Sequence, residues 1–402
     1  MTRPPSETGD AAAVRQATDR LELDVYGRLP LVLERGDGVH VWDVSGERYL
    51  DMYGGHAVCS TGHCHPEVVD AIAAQARKLL FYSSAVYTEV RARASAALLS
   101  HAPRPDSRVF YGSSGAEANE VALKIARKVT GRRTVVAFEG SFHGRTLGAL
   151  AACGIERYRA TAGGVLPPDY RHLPFGDTSA LERIDDRTAA VLCEPIQSLR
   201  GVYEAPAAWY EALAARCAEV GALLVFDEVQ CGMGRTGRFF AAHTFGLAPD
   251  MITLAKGIGS GVPAAAVIVA PEVAERVERG DQGSTFGGGP LAMAALEATV
   301  RVIERDGLAE RAEIVGAALR EAVAGVPGVR EVRGRGLLVG IETRLPAAEL
   351  QRRLLARHVI VGGSVQPDTI RVLPPLVLTE PQLETFVQRL FEALAETGGN
   401  DA

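Results

Sequence analysis

Two charged residues stand at the ends of apolar runs in this sequence. Ala222–Phe226 (ALLVF) stops at Asp227 and Glu228, and Met251–Ala255 (MITLA) stops at Lys256. An acid or an ammonium at the mouth of a core strand is costly unless a partner meets it. A desolvated lysine loses proton affinity and becomes a nucleophile toward carbonyl carbon. A buried aspartate is suited to hold a cationic nitrogen. Together they raise the question of which ligand carries both groups.

Two further stretches add chemistry. GSSGAEANE (Gly112–Glu120) places small residues directly before a helical pattern, and free N–H groups at a helix start suit a phosphate. An ordinary glycine turn with a serine N-cap fits the same letters. It is not the nucleotide-hydrolase phosphate loop, because no lysine follows in register. EGSFHGRTLGAL (Glu139–Leu150) puts Phe142, His143 and Arg145 after the run TVVAF. Phe142 can lie flat on a ring, and Arg145 can grip a carboxylate with two parallel bonds; a core phenylalanine and a solvated arginine are the plainer alternatives. The glycines after Lys256 do not make a dinucleotide fingerprint, since the spacing is wrong and Pro263 interrupts.

The elements that position these residues follow from periodicity. Short apolar runs at 106–110, 134–138, 189–195, 222–226, 251–255 and 264–270 alternate with helical patterns. That predicts an α/β fold with a mostly parallel sheet flanked by helices, with ligands at the strand ends. From residue 289 the pattern changes to two long amphipathic helices, then short strands and a closing helix, which predicts a smaller α+β domain. The expected division is 1–48 as an N-terminal segment packing with the small domain, 49–288 as the large cofactor-binding domain, and 289–402 as the small domain.

Composition excludes other classes. The 402 residues are 47% hydrophobic and 23% charged, with a formal net charge of −6. This is a globular balance with no basic surplus for nucleic acid. No apolar run reaches membrane-spanning length, and the polar start MTRPPSETGD carries no export signal, so a cytoplasmic protein is expected. The six cysteines are scattered and read as reduced thiols. His63, Cys64 and His65 lie too close together on one short loop to converge on an ion, and no metal site is expected.

A phosphate cradle, a stacking aromatic, a buried carboxylate and a buried lysine are jointly what pyridoxal 5'-phosphate requires. The lysine would bond the aldehyde carbon, and Asp227 would meet the ring nitrogen.

The stretches SGAEANEVALKIAR, FHGRTLGAL, FDEVQCGMGRTG, PDMITLAKGIGSGVP, GSTFGGGPLAMAAL, RGRGLLVGIE and IRVLPPL run in one order through nearly the whole chain. In these the chain resembles the class III, ornithine-aminotransferase-like enzymes of the fold-type-I pyridoxal phosphate superfamily. GGHAV, GHCHP and GSTFGGGPLA look most like N-acetylornithine or ornithine aminotransferases. The resemblance implies a homodimer with shared active sites, an amino donor, and a 2-oxo acid acceptor such as 2-oxoglutarate. It implies Ser114, Gly115 and Ala116 at the phosphate, with Ala116 replacing a frequent threonine. It implies Phe142 and Val229 on the two ring faces, Asp227 on the ring nitrogen, Gln230 on the ring hydroxyl, Glu194 supporting that network, and Lys256 as the bonded lysine. Ser284 and Thr285 would reach the neighbouring subunit's site, Thr285 at the phosphate. Arg145 would hold a substrate carboxylate, and Arg371 the acceptor's second carboxylate.

Two departures bear on substrate. The family commonly reads EPIQGEGG where this chain reads EPIQSLRGV, so Leu199 stands where a glutamate usually pairs with the arginine matching Arg371. His56 stands where ornithine-specific relatives carry a tyrosine, which disfavours free ornithine. The resemblance also accommodates other class III activities, among them ornithine, 4-aminobutyrate-type or specialised amine transaminases, an aminomutase or a racemase. A catalytically silent relative would have no reason to keep Asp227 and Lys256.

Overall fold

The structure, a computed structural model, describes residues 10–395. The polar start, residues 1–9, on which the expectation about export rests, and the last residues, 396–402, lie outside the described residues.

The strands, in chain order, are β1 (Leu33–Asp37), β2 (His40–Asp43), β3 (Arg48–Asp51), β4 (Arg108–Gly112), β5 (Thr134–Phe138), β6 (Tyr170–Leu173), β7 (Thr188–Cys193), β8 (Ile196–Gln197), β9 (Tyr203–Glu204), β10 (Leu223–Asp227), β11 (Met251–Leu254), β12 (Ala265–Val269), β13 (Val329–Arg335), β14 (Leu338–Thr343), β15 (Val359–Ile360), β16 (Gly362–Gly363) and β17 (Thr369–Val372). Seven form the large sheet, in the order β4-β12-β11-β10-β7-β5-β6. β12 runs antiparallel to both neighbours, while β11, β10, β7, β5 and β6 pair parallel. The expected α/β class is therefore what the chain adopts.

Alternation along the strands sorts the core. Val135, Ala137, Ala190, Leu192, Val225 and Val267 cluster with Ala118, Ala122 and Ile125 of the helix Gly115–Thr130. Val136, Phe138, Val191, Phe226 and Ile268 cluster on the other side with Trp209 and Leu213 of the helix Ala207–Val220. A strand buried on both faces has no polar alternation, which is why these runs read as continuous apolar letters. Fully burying each such side chain contributes about 1.5–3 kcal/mol.

β6 was not visible as an apolar run. It reads YRHL, lies at the edge of the sheet, and only Leu173 is buried. β13 (VREVRGR) was missed for the same reason. β13, β14, β17 and β16 form a second sheet, which carries Arg371 in its interior strand β17. The N-terminal strands β1–β3 are joined by β15 from the C-terminal part of the chain, Leu50 pairing with Val359.

Candidate active site

The four stretches singled out by residue type all lie at strand ends of the large sheet. They line one cavity of about 390 Å³, with Ser113–Ala116, Phe142–Gly144, Glu194, Leu199, Asp227, Val229, Gln230, Ala255 and Lys256 among its walls. Ligands of open α/β sheets bind at such strand ends.

Ser113–Ala116 follow β4. Ser114 caps the helix Gly115–Thr130, its Oγ accepting from Glu117 N at 3.2 Å. The first-turn N–H groups of Gly115 and Ala116 have no acceptor inside the helix. Gly115 is required by a close approach, because a Cβ there would stand 2.8 Å from Val229 Cγ1. The backbone is thus bare where a phosphate would sit.

Asp227 ends β10 and is 3% exposed. Its Oδ2 accepts from Asn119 Nδ2 at 2.8 Å and from His143 Nδ1 at 2.7 Å, and its Oδ1 accepts from Val229 N at 3.1 Å. Asn119 also donates to His143 O and accepts from Thr253 Oγ1, each at 2.7 Å. The carboxyl group is held by three donors, and among the described residues no arginine or lysine is bonded to it. The imidazole carries its proton on Nδ1 to make this bond, and its buried Nε2 has no partner among the described residues. Sequence reasoning noticed His143 but gave it no role, and it missed Asn119, which lies one turn along the helix from the phosphate cradle.

Lys256 follows β11 in a short 3₁₀ turn, with φ +45°. A left-handed backbone at a non-glycine residue costs on the order of 1 kcal/mol and is concentrated at functional positions. Its ammonium pKa is lowered by burial and by Arg371, while Asp227 and Glu194 pull the other way. Glu194, 7% exposed, accepts from Phe142 N at 2.6 Å. Burial pushes its carboxyl up to about 7, His143 opposing and Asp227 assisting.

Arg371 is buried but does not itself line the cavity; it reaches the wall through Gln230. Its Nε donates to Gly363 O at 2.6 Å, Nη1 to Ser198 Oγ at 3.1 Å and to Gln230 Oε1 at 3.2 Å, and Nη2 to Tyr53 Oη at 2.7 Å. Among the described residues no carboxylate pairs with it. Leu199 lines the cavity with an apolar side chain, so the guanidinium is held by uncharged acceptors alone. Burial lowers its pKa.

Three further expected residues, Arg145, Ser284 and Thr285, lie off the cavity. Arg145 is exposed, 4.1 Å over the Tyr158 ring and 5.6 Å over Phe142. Ser284 Oγ donates to Glu117 Oε1 at 2.7 Å, on the outer side of the phosphate cradle, and Thr285 beside it is exposed. His63 Nε2 is bonded to Asp51 Oδ2 at 2.8 Å and Cys64 is exposed, so the two point to different surroundings. All six cysteines are unpaired. No helix among the described residues is long and apolar enough to cross a membrane.

Comparison with known proteins agrees with this geometry. The profile of the aminotransferase class-III family matches residues 24–394. The acetylornithine aminotransferase of Methanopyrus kandleri is 44% identical over 387 residues, covering 96% of this chain and 99% of that one. That of Mycobacterium tuberculosis is 43% identical over 385 residues, covering 94% and 95%. Among solved structures, the ornithine aminotransferase of Toxoplasma gondii superposes with a TM-score of 0.91 at 30% identity, covering 96% of this chain and 95% of that one. The acetylornithine aminotransferase of Elizabethkingia anophelis does so with 0.84 at 29%, covering 96% and 99%. The fold is that of the fold-type-I pyridoxal-phosphate-dependent transferases, and the chain belongs to the class III aminotransferases.

Proposed function

We propose that this protein transfers the terminal amino group of an N-acylornithine-like amino acid to 2-oxoglutarate, with pyridoxal phosphate as its resident cofactor, in a homodimer that shares its active sites. The observation that carries the reading is the meeting of Lys256 and Asp227 in one cavity beside a bare helix start. The acetylornithine aminotransferases named above supply the substrate class.

The residues fit the cofactor. The N–H groups of Gly115 and Ala116, with Ser114, would hold the phosphate. Phe142 and Val229 line the cavity and would flank the ring. Asp227, fixed by Asn119 and His143, would keep a proton on the ring nitrogen, and Gln230 with Glu194 would serve the ring hydroxyl side. When bound, pyridoxal phosphate supplies an electron sink for charge developing at the substrate carbon that bears nitrogen. Lys256, desolvated and with its pKa lowered by burial, takes and returns the proton at that carbon. Arg371 would hold the acceptor's second carboxylate and Arg145 a donor carboxylate.

The dimer is supported by an apolar surface. Leu80, Phe81, Tyr82, Tyr87 and Phe286 are all exposed, and Phe81 packs on Phe286 at 5.2 Å. This surface adjoins Ser284 and Thr285, and contiguous exposed apolar area of this kind marks an interface.

The test is a donor–acceptor panel on the purified holoenzyme, with borohydride fixation followed by peptide mapping. N-acetylornithine with 2-oxoglutarate is expected to be the fastest pair, and the fixed cofactor is expected on the peptide holding Lys256. Label on another lysine, or no turnover of any ω-amino donor, would sink the reading.

A further inference from the structure

Tyr53, His56 and Gln230 close a ring of hydrogen bonds with Arg371, His56 taking part through both its imidazole and its carbonyl. Arg371 Nη2 donates to Tyr53 Oη at 2.7 Å, and the Tyr53 hydroxyl then donates to His56 Nδ1 at 2.8 Å. Arg371 Nη1 donates to Gln230 Oε1 at 3.2 Å, and Gln230 Nε2 donates to His56 O at 3.2 Å. In this pattern the Tyr53 hydroxyl accepts from Arg371 and donates to an unprotonated His56 Nδ1. Burial, Arg371 and Lys256 all favour that form of His56.

The backbone is shaped to hold this ring. Gly54, Gly55, His56 and Ala57 all have positive φ, from +55° to +68°. For His56 and Ala57 this left-handed geometry costs on the order of 1–2 kcal/mol each, and it aims the His56 carbonyl at Gln230. The Tyr53 ring lies against the backbone of Gly362 on β16; a Cβ at Gly362 would stand 1.9 Å from Tyr53 Cε2. Space for the tyrosine is therefore built into a second element.

We infer that Tyr53 and His56 are specificity-determining residues, which with Gln230 form an uncharged clasp orienting Arg371 toward a distal carboxylate. The clasp engages Nη1 and Nη2 yet brings no negative charge, because Leu199 cannot supply one. Of the five guanidinium N–H groups, Gly363 O, Ser198 Oγ, Gln230 Oε1 and Tyr53 Oη hold four, leaving one on Nη2. The cation is thus oriented and desolvated, with one N–H uncommitted among the described residues for an anion. A site of this kind selects dicarboxylates and repels distal ammonium groups.

This rests on the proposed function for the identity of the acceptor, and the test is chosen to separate the two. Binding of glutarate and of valerate, five-carbon acids with two carboxylates and one, is measured by calorimetry on the holoenzyme. Wild type is expected to prefer glutarate. Tyr53→Phe removes the hydroxyl. His56→Gly removes the imidazole while keeping the carbonyl and suiting the left-handed backbone. Each is expected to weaken glutarate about tenfold, or 1.4 kcal/mol, with valerate within about twofold. KM for the dicarboxylic acceptor is expected to rise while kcat of the donor half-reaction holds. Equal losses for both acids, or an unchanged glutarate affinity in both variants, would overturn the inference. So would a wild type that does not prefer glutarate, whatever its turnover. If the preference and its loss are seen but no ω-amino donor reacts, the clasp stands and the proposed reaction falls.

Discussion

Asp227→Asn is the most informative single change, because the structure dictates how the amide must sit. The carboxyl group accepts from two side chains at Oδ2 and one backbone N–H at Oδ1. An asparagine keeps only one oxygen. With that oxygen in the Oδ2 position, its NH₂ confronts Val229 N–H. Turned over, its NH₂ confronts Asn119 Nδ2 and His143. His143 can change tautomer, but Asn119 is committed to Thr253 and His143 O. The first orientation therefore costs least, leaving one buried N–H without an acceptor, a penalty of about 1–3 kcal/mol in stability. The variant folds, with a melting temperature lower by a few degrees. Chemistry suffers separately, since an amide cannot keep a ring nitrogen protonated. A loss of at least about a hundredfold, or about 2.7 kcal/mol, is expected in the single-turnover rate with the amino donor. Melting and turnover are measured on the same preparation. Turnover within about threefold of wild type would refute the assignment and leave Asp227 a packing residue.

Two other expectations follow from the same geometry. Leu199→Glu brings a carboxylate beside Ser198, which already bonds Arg371; KM for 2-oxoglutarate is expected to rise about tenfold, with free ornithine improving relative to N-acetylornithine, and an unchanged donor ratio would reduce Leu199 to packing. Glu228, 1% exposed, accepts from Ala241 N and Ala242 N, and burial raises its carboxyl to about 8 from 4.5. A raised folded-state value means stability is fullest below about 4.5 and falls as pH rises through about 8, so Glu228→Gln is expected to flatten the decline of melting temperature between pH 5 and 8, a slope like that of wild type counting against it.

What was legible in the sequence was what local order encodes. The runs ALLVF and MITLA each end in a charge, and a charge after a doubly buried strand is a conspicuous letter; Asp227 and Lys256 were found that way. GSSG was legible as a possible anion site because a helix follows in register. β6 was not, since an edge strand with one buried residue has no apolar signature. Tyr53 was not, because it meets Arg371 across 318 positions. Nothing around Tyr53 signals a ligand: MYGG reads as an aromatic before a turn. His56 drew notice only through the resemblance, and its carbonyl, which does half its work here, has no letter at all.

The same limit explains why the reaction type is easier to read than the substrate. Reaction type depends on an amine and a carboxyl group whose cost of burial makes them stand out one at a time. Choice among donors depends on a balance. Lys256 and Arg371 share one desolvated region; burial lowers the pKa of both, and Arg371 adds to the lowering at Lys256. Glu194 and Asp227 offset Lys256, but no carboxylate pairs with Arg371 among the described residues. A donor with a free distal ammonium adds a further cation beside Arg371, whereas an acylated nitrogen adds none. The preference for an N-acylated donor is therefore a consequence of Leu199 and the uncharged clasp together, and either one replaced by a carboxylate should erase it.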